Sequence, residues 1–277
     1  MAEAVKIFMC THKGVSYLPP LCVAVQGGAK LNPAIENTVS DCGEGENISE
    51  KNPQYCELTV QYYAWKNEEL DYYGFCHYRR FFCFGKGVKK PYITLGKIKE
   101  KHKKLLGDET EILKLIKKHD IISPKGEDVG CTVYEKYVNS PVSFKEDIDL
   151  FVKILNEKYP FLTPYAWKYL NGRTQYFCNM FIMKRELFFE YSQALFSILE
   201  EFDKGKRIYS DFQKDRVDGY LGERFFGIYL TYLLDKGKSV CFVPRIDTEC
   251  TLKKRITNKI LPPGSKIRLL VKRIKRG

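Results

Sequence analysis

The sequence has no run of apolar residues long enough to span a lipid bilayer. A membrane-spanning helix needs about 18 or more apolar residues in succession, and no window of this chain approaches that length. The first residues, MAEAVKIFMCTHKG, contain an apolar run of only strand length. We therefore expect neither a signal peptide nor a membrane anchor, and we expect the protein to stay in the cytoplasm.

Several common catalytic and metal-binding motifs are also missing. The chain contains no G-x-x-x-x-G-K-[ST], G-x-G-x-x-G, G-x-S-x-G or H-E-x-x-H segment, which argues against P-loop, dinucleotide-binding, serine hydrolase and zinc protease chemistry. The ten cysteines include no C-x-x-C pair and mostly lie in apolar runs. We expect them to be reduced, buried thiols rather than disulfides or metal ligands.

Acidic residues are absent from the end of the chain. Residues 251–277 contain ten lysines or arginines and no Asp or Glu, which leaves about +2 of the formal net charge of +12 for the rest of the molecule. Ile, Leu and Val alternate with these cations, a composition that suits anionic lipid headgroups, although a solvated basic terminus has the same composition. We therefore divide the chain into a globular domain, residues 1–250, and a basic amphipathic tail, residues 251–277.

The order of apolar segments predicts an α/β domain. VKIFMCTH and LCVAVQGGAK are typical of buried strands, and Asn52 followed by Pro53 predicts the N-cap and first turn of a helix through PQYCELTVQYYAWKN. YYGFCHYRRFF, residues 72–82, predicts one further strand. Polar residues gather where these strands end, as in open α/β sheets whose ligands lie beyond the strand carboxyl ends.

The second half of the chain continues this pattern. DIISP predicts a strand, SFKEDIDLFVKILNEKYP an amphipathic helix, and TQYFCNMFIMKRELFFEYSQALFSILEEF a strand that leads into a long helix. DGYLGERFFGIYLTYLLDKG is apolar nearly all round, which predicts a buried helix, and SVCFVPR predicts the last strand.

The segment His77, Tyr78, Arg79 and Arg80 carries the clearest chemical signal. In a continuous strand His77 and Arg79 would share one face, and Tyr78 and Arg80 the other. Guanidinium groups bind phosphate with two parallel hydrogen bonds, so the cluster indicates a diphosphate site. For each arginine, a buried ion pair with an acid of the core is the structural alternative.

Two loops hold further candidate site residues. Asn47, Ser49, Lys51 and Asn52 in ENISEKN could bind an anion or sugar hydroxyls, or could simply form an N-cap loop. Thr11, His12 and Lys13 lie at the end of the first strand, and they matter only if this edge of the sheet forms the site.

Glu223 lies in the segment predicted to be a buried helix. It shares a helical stripe with Gly219 and Phe226, whereas Arg224 points about 100° away. A carboxylate among apolar neighbours can act as a general base, but a structural ion pair with a nearby arginine is the alternative.

Four segments taken together resemble a bacterial glycosyltransferase family that was long catalogued as a domain of unknown function and occurs in capsule, exopolysaccharide and O-antigen gene clusters. The segments are DCGEGENISEKNPQYCELTVQYYAWKN, DYYGFCHYRRFF, CNMFIMKRELFFEYSQALFSILEEF and RVDGYLGERFFGIYLTYLL. The motifs N-I-S-x-K-N, E-L-T, W-K-N, H-Y-R-R, C-N-M-F and G-x-x-x-E-R occur in that order, and the resemblance extends over about residues 6–244.

The resemblance implies a fold and a reaction. The fold would be α/β and GT-A-like, a single nucleotide-binding domain with a central mixed sheet flanked by helices. The reaction would be inverting transfer of galactofuranose from a UDP-sugar to a lipid-linked or growing cell-surface polysaccharide. A UDP-hexopyranose such as UDP-galactose is the alternative donor, and a basic RNA-binding protein is the alternative from another class.

The resemblance also implies roles for residues. Many GT-A enzymes hold a divalent cation against the donor diphosphate with an Asp-x-Asp at the end of a central strand, whereas this position resembles the segment from His77 to Arg80. We therefore expect no cofactor and no requirement for a divalent metal. Glu223 would be the base, with Asp218 in reserve, and Asn179 and Arg224 would contribute to substrate binding.

The expected partners follow from this assignment. They are a UDP-sugar, a lipid-linked saccharide acceptor and an anionic membrane surface that the tail contacts, which would place the protein peripherally at the inner face of the plasma membrane. Nucleic acid is not expected, because the body has little excess charge and its aromatic residues fall at positions typical of a core.

Overall fold

The structure is a computed structural model that describes residues 4–207, 215–265, 267–268 and 270–271. Twelve strands lie within these ranges: β1 Val5–Thr11, β2 Cys22–Gln26, β3 Val39–Ser40, β4 Tyr72–His77, β5 Arg80–Phe82, β6 Tyr92–Thr94, β7 Ile121–Pro124, β8 Glu127–Asp128, β9 Thr174–Gln175, β10 Phe181–Lys184, β11 Val240–Val243 and β12 Arg245–Asp247. Ten of them form one mixed sheet, and β8 pairs only with β9.

The main path of the sheet runs β11-β7-β10-β4-β1-β2-β3. Strands β3, β2, β1 and β4 are parallel to one another, whereas β10 is antiparallel to both β4 and β7. A small extension of β5, β12 and β6 continues from β4. The carboxyl ends of β2, β1 and β4 therefore meet at one edge of the sheet, as the pattern of polar strand ends predicts.

Nine α-helices lie within the described ranges: α1 Asn52–Tyr55, α2 Leu58–Asn67, α3 Glu109–Lys117, α4 Val133–Val138, α5 Lys145–Lys158, α6 Thr163–Leu170, α7 Arg185–Gly205, α8 Val217–Asp235 and α9 Leu252–Ile260. Short 3-10 helices occupy Ala29–Leu31, Ser49–Lys51, Glu100–Leu105 and Pro160–Leu162. The predicted helices and strands of the second half of the chain are present here.

Alternation along the strands gives the sheet two apolar faces. Phe8 on β1 and Phe75 on β4 pack into the larger core, which also contains the buried side chains of α2 and α4 to α8. Ile7 and Met9, one residue to either side of Phe8, pack into a second core with α3. Because both faces are covered, the central strands are apolar nearly throughout.

The segment 72–82 is not one strand, so the predicted alternation of its side chains is wrong. β4 ends at His77, Tyr78 and Arg79 form a tight turn, and β5 returns antiparallel with Arg80 opposite His77. A turn at this point breaks the period of two. The predicted last strand is likewise divided at Pro244 into β11 and β12.

The predicted helix from Asn52 is also interrupted. Cys56 lies between α1 and α2 with φ 53° and ψ −129°, a backbone conformation that stops the helix. Asn52 is the first residue of α1, and the N-cap position is that of Lys51. Instead of capping, the Asn52 side-chain amide donates to the Cys56 carbonyl oxygen at 2.8 Å and to Thr59 Oγ1 at 3.1 Å.

The described part of the tail contacts the domain. Helix α9 packs beside β6, and Arg268 donates hydrogen bonds to Asn258 Oδ1, the Leu261 carbonyl oxygen and Tyr92 Oη. Residues 266, 269 and 272–277 of the predicted tail lie outside the described residues. Among the helices that the structure describes, none combines the length and the apolar character that crossing a bilayer requires.

Candidate active site

A cavity of about 690 Å³ lies where the parallel strands end. Strand β1 and the residue after it contribute Thr11 and His12, and the turn after β2 contributes Gly27. The β4–β5 hairpin contributes a histidine and two arginines, which are His77, Arg79 and Arg80. In a continuous strand these side chains would alternate between two faces. Because the chain turns back at Tyr78 and Arg79, all three side chains reach the same cavity.

The opposite side of the cavity comes from helices and one loop. Glu57 stands immediately before α2, and Glu223 belongs to α8 together with Tyr220. Phe177 precedes β10, and Arg216 precedes α8. Basic groups and carboxylates thus line one cavity.

The three arginines of the cavity have no carboxylate partner among the described residues. The ion pairs that described arginines form involve other arginines of the chain. The Arg79 guanidinium lies 5.1 Å from the centre of the Tyr78 ring, and its buried Nε has no hydrogen-bond partner. Burying such groups without a counter-ion is costly, so this arrangement favours an anionic ligand.

Arg216 contacts a thiol instead of an acid. Its Nε donates to Cys56 Sγ at 3.1 Å. Burial raises the pKa of the Cys56 thiol to about 12, so this sulfur is uncharged at neutral pH. The charge of Arg216 is therefore not neutralised by its nearest partner.

Both histidines of the cavity are kept neutral. Burial, followed by the charges of Arg80 and Arg79, lowers the pKa of His77 to about 3. Burial and Arg79 also lower the pKa of His12, whose Nε2 lies 3.3 Å from Tyr78 Oη. At neutral pH the positive charge of the cavity therefore comes from its arginines.

Replacement of His77 by Gln is expected to make the free energy of unfolding less sensitive to acid. The folded-state pKa of His77 lies below the ordinary value of 6.5, so between about pH 6.5 and 3 the unfolded chain binds more protons and the native state loses stability as pH falls. One such group contributes at most about 1.4 kcal/mol per pH unit. Denaturant unfolding of both proteins from pH 7 to 4 measures the slope, and equal slopes would contradict this environment for His77.

Two consecutive residues with left-handed backbone hold the carboxylates in place. Cys178 has φ 78° and Asn179 has φ 46°, which is uncommon outside glycine. The Cys178 backbone N–H donates to Glu223 Oε1 at 2.6 Å, and Asn179 Nδ2 donates to Glu57 Oε1 at 2.9 Å. Arg224 Nη1 donates to Glu223 Oε2 at 3.0 Å. Both oxygens of Glu223 are thus oriented by fixed donors.

Burial is the strongest influence on the pKa of the Glu57 carboxyl group. Burial raises its pKa, and the charge of Glu223 raises it further, against the hydrogen bond from Asn179. A carboxyl group whose pKa rises towards neutrality can take part in proton transfer. Neither Glu57 nor Arg216 is among the site residues that the sequence predicts. A single acid in the largely apolar segment YCELTVQYYAW is the signal that could have identified Glu57, whereas Arg216 offers no such signal.

Asp218 does not fit the reserve role for a base. Its side chain is fully buried, and its carboxylate accepts from Lys206 Nζ at 2.6 Å. Burial raises the pKa of Asp218 to about 7. The residue belongs to an ion-pair cluster with Lys206 and Asp203 rather than to the lining of the cavity.

Several other predicted site residues have partners elsewhere. Lys13 forms an ion pair with Glu249, and Lys51 forms one with Asp203. Ser49 donates to Asp41. The cavity lining that the structure describes includes none of these predicted residues: Lys13, Asn47, Ser49, Lys51, Tyr78, Asn179 and Arg224.

Among these, Asn179 and Arg224 contact the two carboxylates, and Tyr78 contacts His12. These three residues contact side chains that line the cavity, but they are not part of the lining themselves. Asn47 bonds within its own loop, where its Nδ2 donates to the Gly45 carbonyl oxygen. Of the ENISEKN residues proposed for ligand binding, Asn52 is the one in the lining.

The donor set of the cavity does not fit a divalent cation. The strand end where an Asp-x-Asp would hold a metal carries His77, Arg79 and Arg80, and guanidinium groups are not metal ligands. Among the residues that the structure describes, no three His, Cys, Asp or Glu side chains are grouped to hold a metal ion. The expected independence from metal stays a prediction.

The architecture defines the class of protein. A central mixed sheet between helices, with a cavity at the carboxyl ends of its parallel strands, is a GT-A-like glycosyltransferase fold, and the predicted fold class is confirmed. A solved structure described as the WbbM bifunctional glycosyltransferase in its apo state matches it with a TM-score of 0.82 and 31% sequence identity. The match covers 89% of this chain and 46% of the WbbM chain. This chain therefore spans less than half of the length of that glycosyltransferase.

The sequence also identifies the family. Residues 6–234 match the family model described as a domain of unknown function, DUF4422, and the chain belongs to that family. No protein with a curated functional description matches the sequence.

Proposed function

We propose that this protein is an inverting glycosyltransferase that transfers galactofuranose from UDP-galactofuranose to a lipid-linked or growing cell-surface polysaccharide. The observation that carries the proposal is the composition of the cavity. Three guanidinium groups that have no carboxylate partner among the described residues share it with Glu57 and Glu223. The similarity of the fold to a bifunctional glycosyltransferase supports the same reaction class.

The arginines are the proposed site of the donor diphosphate. Arg79 and Arg80 extend from one hairpin, and Arg216 joins them from the residue before α8. Guanidinium groups bind phosphate oxygens with paired, charge-assisted hydrogen bonds and need no metal to neutralise the charge. They would also stabilise the negative charge that develops on the leaving UDP.

Glu223 is the proposed general base. The acceptor hydroxyl oxygen attacks the anomeric carbon while its proton passes to the Glu223 carboxylate. The bond from the anomeric carbon to the diphosphate oxygen breaks in the same step, and its electron pair leaves with UDP. One displacement inverts the configuration. Tyr220 and Phe177 line the same cavity and offer flat faces to a sugar ring.

Membrane association completes the proposal. A lipid-linked acceptor lies in the membrane, and the basic tail supplies cations that are attracted to anionic headgroups. We propose that the protein binds peripherally at the inner face of the plasma membrane. The division of the chain at residue 250 remains part of this proposal.

UDP is expected to raise the melting temperature by the same amount with and without EDTA. The physical reason is that guanidinium groups, not a cation, would neutralise the diphosphate. A thermal-shift panel of UDP, GDP, CMP and their sugars, each with and without chelator, makes the measurement. An effect of UDP that disappears in EDTA and returns with Mn²⁺ would contradict the metal-free site.

The same panel and a transfer assay separate the alternatives. Faster transfer from UDP-galactopyranose than from UDP-galactofuranose would replace the proposed donor with its ring isomer. RNA binding with a steep salt dependence, together with no response to UDP, would favour a nucleic-acid-binding protein instead.

A further inference from the structure

A second cavity, of about 390 Å³, lies between the tail helix α9 and strand β6. It exists because the tail folds back onto the domain. Arg268 fixes this arrangement, since its guanidinium donates at 3.1 Å to Tyr92 Oη on β6 and also to Asn258 Oδ1 on α9. The cavity is therefore built by the tertiary structure and is not a property of the tail alone.

The lining of this second cavity is basic. Lys90, Arg255 and Lys259 contribute cations to it, and no Asp or Glu is part of the lining that the structure describes. None of the three forms an ion pair with a described residue, whereas the neighbouring Lys254 pairs with Asp247. Three cations around a small volume without an acid favour an anionic ligand.

A buried amide at this cavity lacks a partner. Asn258 is 6% exposed and belongs to the lining. Because Arg268 donates to its Oδ1, the other end of the amide is the NH₂ group, and this Nδ2 is buried without a hydrogen-bond acceptor among the described residues. An unsatisfied buried donor is costly, and a phosphate oxygen would satisfy it.

An exposed apolar stripe runs along the same helix. Leu252, Ile256 and Ile260 are 67%, 50% and 72% exposed, and their spacing of four residues places them along one face. Exposed leucine and isoleucine beside cations is the pattern of a helix that lies in the interface of a membrane. A free phosphate ion would make no use of this stripe.

We propose that this cavity binds the phosphate of an anionic phospholipid headgroup, while Leu252, Ile256 and Ile260 enter the boundary of the acyl chains. The inference rests on the proposed function and deepens it. Thr248 N donates to the Arg79 carbonyl oxygen at 2.8 Å, four residues before α9 begins. Docking α9 on a membrane therefore brings the arginine cavity close to the surface in which a lipid-linked acceptor lies.

A pair of variants on adjacent residues tests the site. Asn258→Asp and Thr257→Asp change the net charge equally on the same helix, but Thr257 is exposed and does not line the cavity. At constant ionic strength, co-sedimentation with vesicles of phosphatidylglycerol and phosphatidylcholine is expected to fall about fivefold for Thr257→Asp, the effect of one charge near the surface. Asn258→Asp should lose at least about tenfold more, because it also replaces the donor with an acceptor.

The pair Asn258→Ala and Thr257→Ala repeats the comparison without a change in charge. Melting curves for all variants show whether each of them still folds. A loss for Asn258→Ala alone supports the site. Equal losses within each pair would show attraction by the overall charge and would overturn it. Wild-type binding to pure phosphatidylcholine vesicles at the same level would do so too.

Inorganic phosphate separates the two sources of a phosphate group. If it stabilises the protein while vesicles do not bind, the site takes a free anion and the proposal fails. Failure of the lipid site can be distinguished from failure of the proposed glycosyltransferase function. The rate of transfer to a water-soluble acceptor tests that function alone, and it should be unchanged in Asn258→Asp.

Discussion

Glu223→Gln is expected to lower the rate of sugar transfer by about 10²–10⁴-fold, the contribution of a positioned general base, while UDP binding stays nearly unchanged. The glutamine side chain has the same shape and can still accept from the Cys178 backbone N–H that Glu223 Oε1 binds at 2.6 Å. It cannot take a proton from the acceptor at neutral pH. The loss should therefore appear in the chemical step and not in the affinity for the nucleotide.

Single-turnover transfer and calorimetric UDP binding measure these two quantities. Glu57→Gln is the matched control, because it removes the other carboxylate of the same cavity, and we expect a smaller loss of rate. Near-normal turnover of Glu223→Gln would remove Glu223 from the role, and a severe loss in Glu57→Gln alone would transfer the role to Glu57.

Asp218→Asn provides a second control, outside the cavity. Because the folded-state pKa of Asp218 is raised to about 7 from 3.8, the native state holds this proton more tightly than the unfolded chain between those pH values. Stability from this group therefore falls as pH rises through that range. We expect the substitution to change the dependence of unfolding on pH and to leave transfer largely intact.

The double substitution Arg79→Ala with Arg80→Ala is expected to weaken UDP binding by at least about 100-fold. Each guanidinium would donate to the charged diphosphate, and hydrogen bonds to charged groups contribute about 1.5–3 kcal/mol each, or roughly tenfold or more in affinity. Replacing both arginines by lysine should restore part of the affinity, because the charge returns but the planar fork does not.

Arg185→Ala is the control for loss of positive charge. Arg185 is partly buried and forms an ion pair with Glu69, away from the cavity. It should leave UDP affinity unchanged. If the double variant bound UDP as tightly as the control, the diphosphate would lie elsewhere and the proposed donor site would be wrong.

Much of the fold can be predicted from the sequence, because the central strands and helices consist largely of apolar residues. Segments such as VKIFMCTH and the buried α8 are apolar enough to predict a strand and a helix from the segment alone, without knowledge of what packs against it. The departures lie at turns. The sequence YYGFCHYRRFF has no glycine or proline after Gly74 to mark the turn at Tyr78 and Arg79, so a continuous strand is the natural prediction.

The assembly of the site was accessible only in part. The sequence predicts His77, Arg79 and Arg80 as site residues because they follow a buried strand, and it predicts Glu223 because this acid lies in an apolar helix. Contacts of Ser49 and Lys51 with Asp41 and Asp203 could not be foreseen, because ordinary loop residues look the same whether they bind a ligand or a neighbouring acid.

The sequence by itself determined which segments are buried, where cations follow strands, and that the tail is basic, because each of these depends on local composition and periodicity. Only the tertiary structure decided that Glu57 and Arg216 join the arginine hairpin. It also decided that the left-handed residues Cys178 and Asn179 orient the two carboxylates. Contacts between residues far apart in the chain depend on how the sheet and helices pack, and no local pattern encodes them.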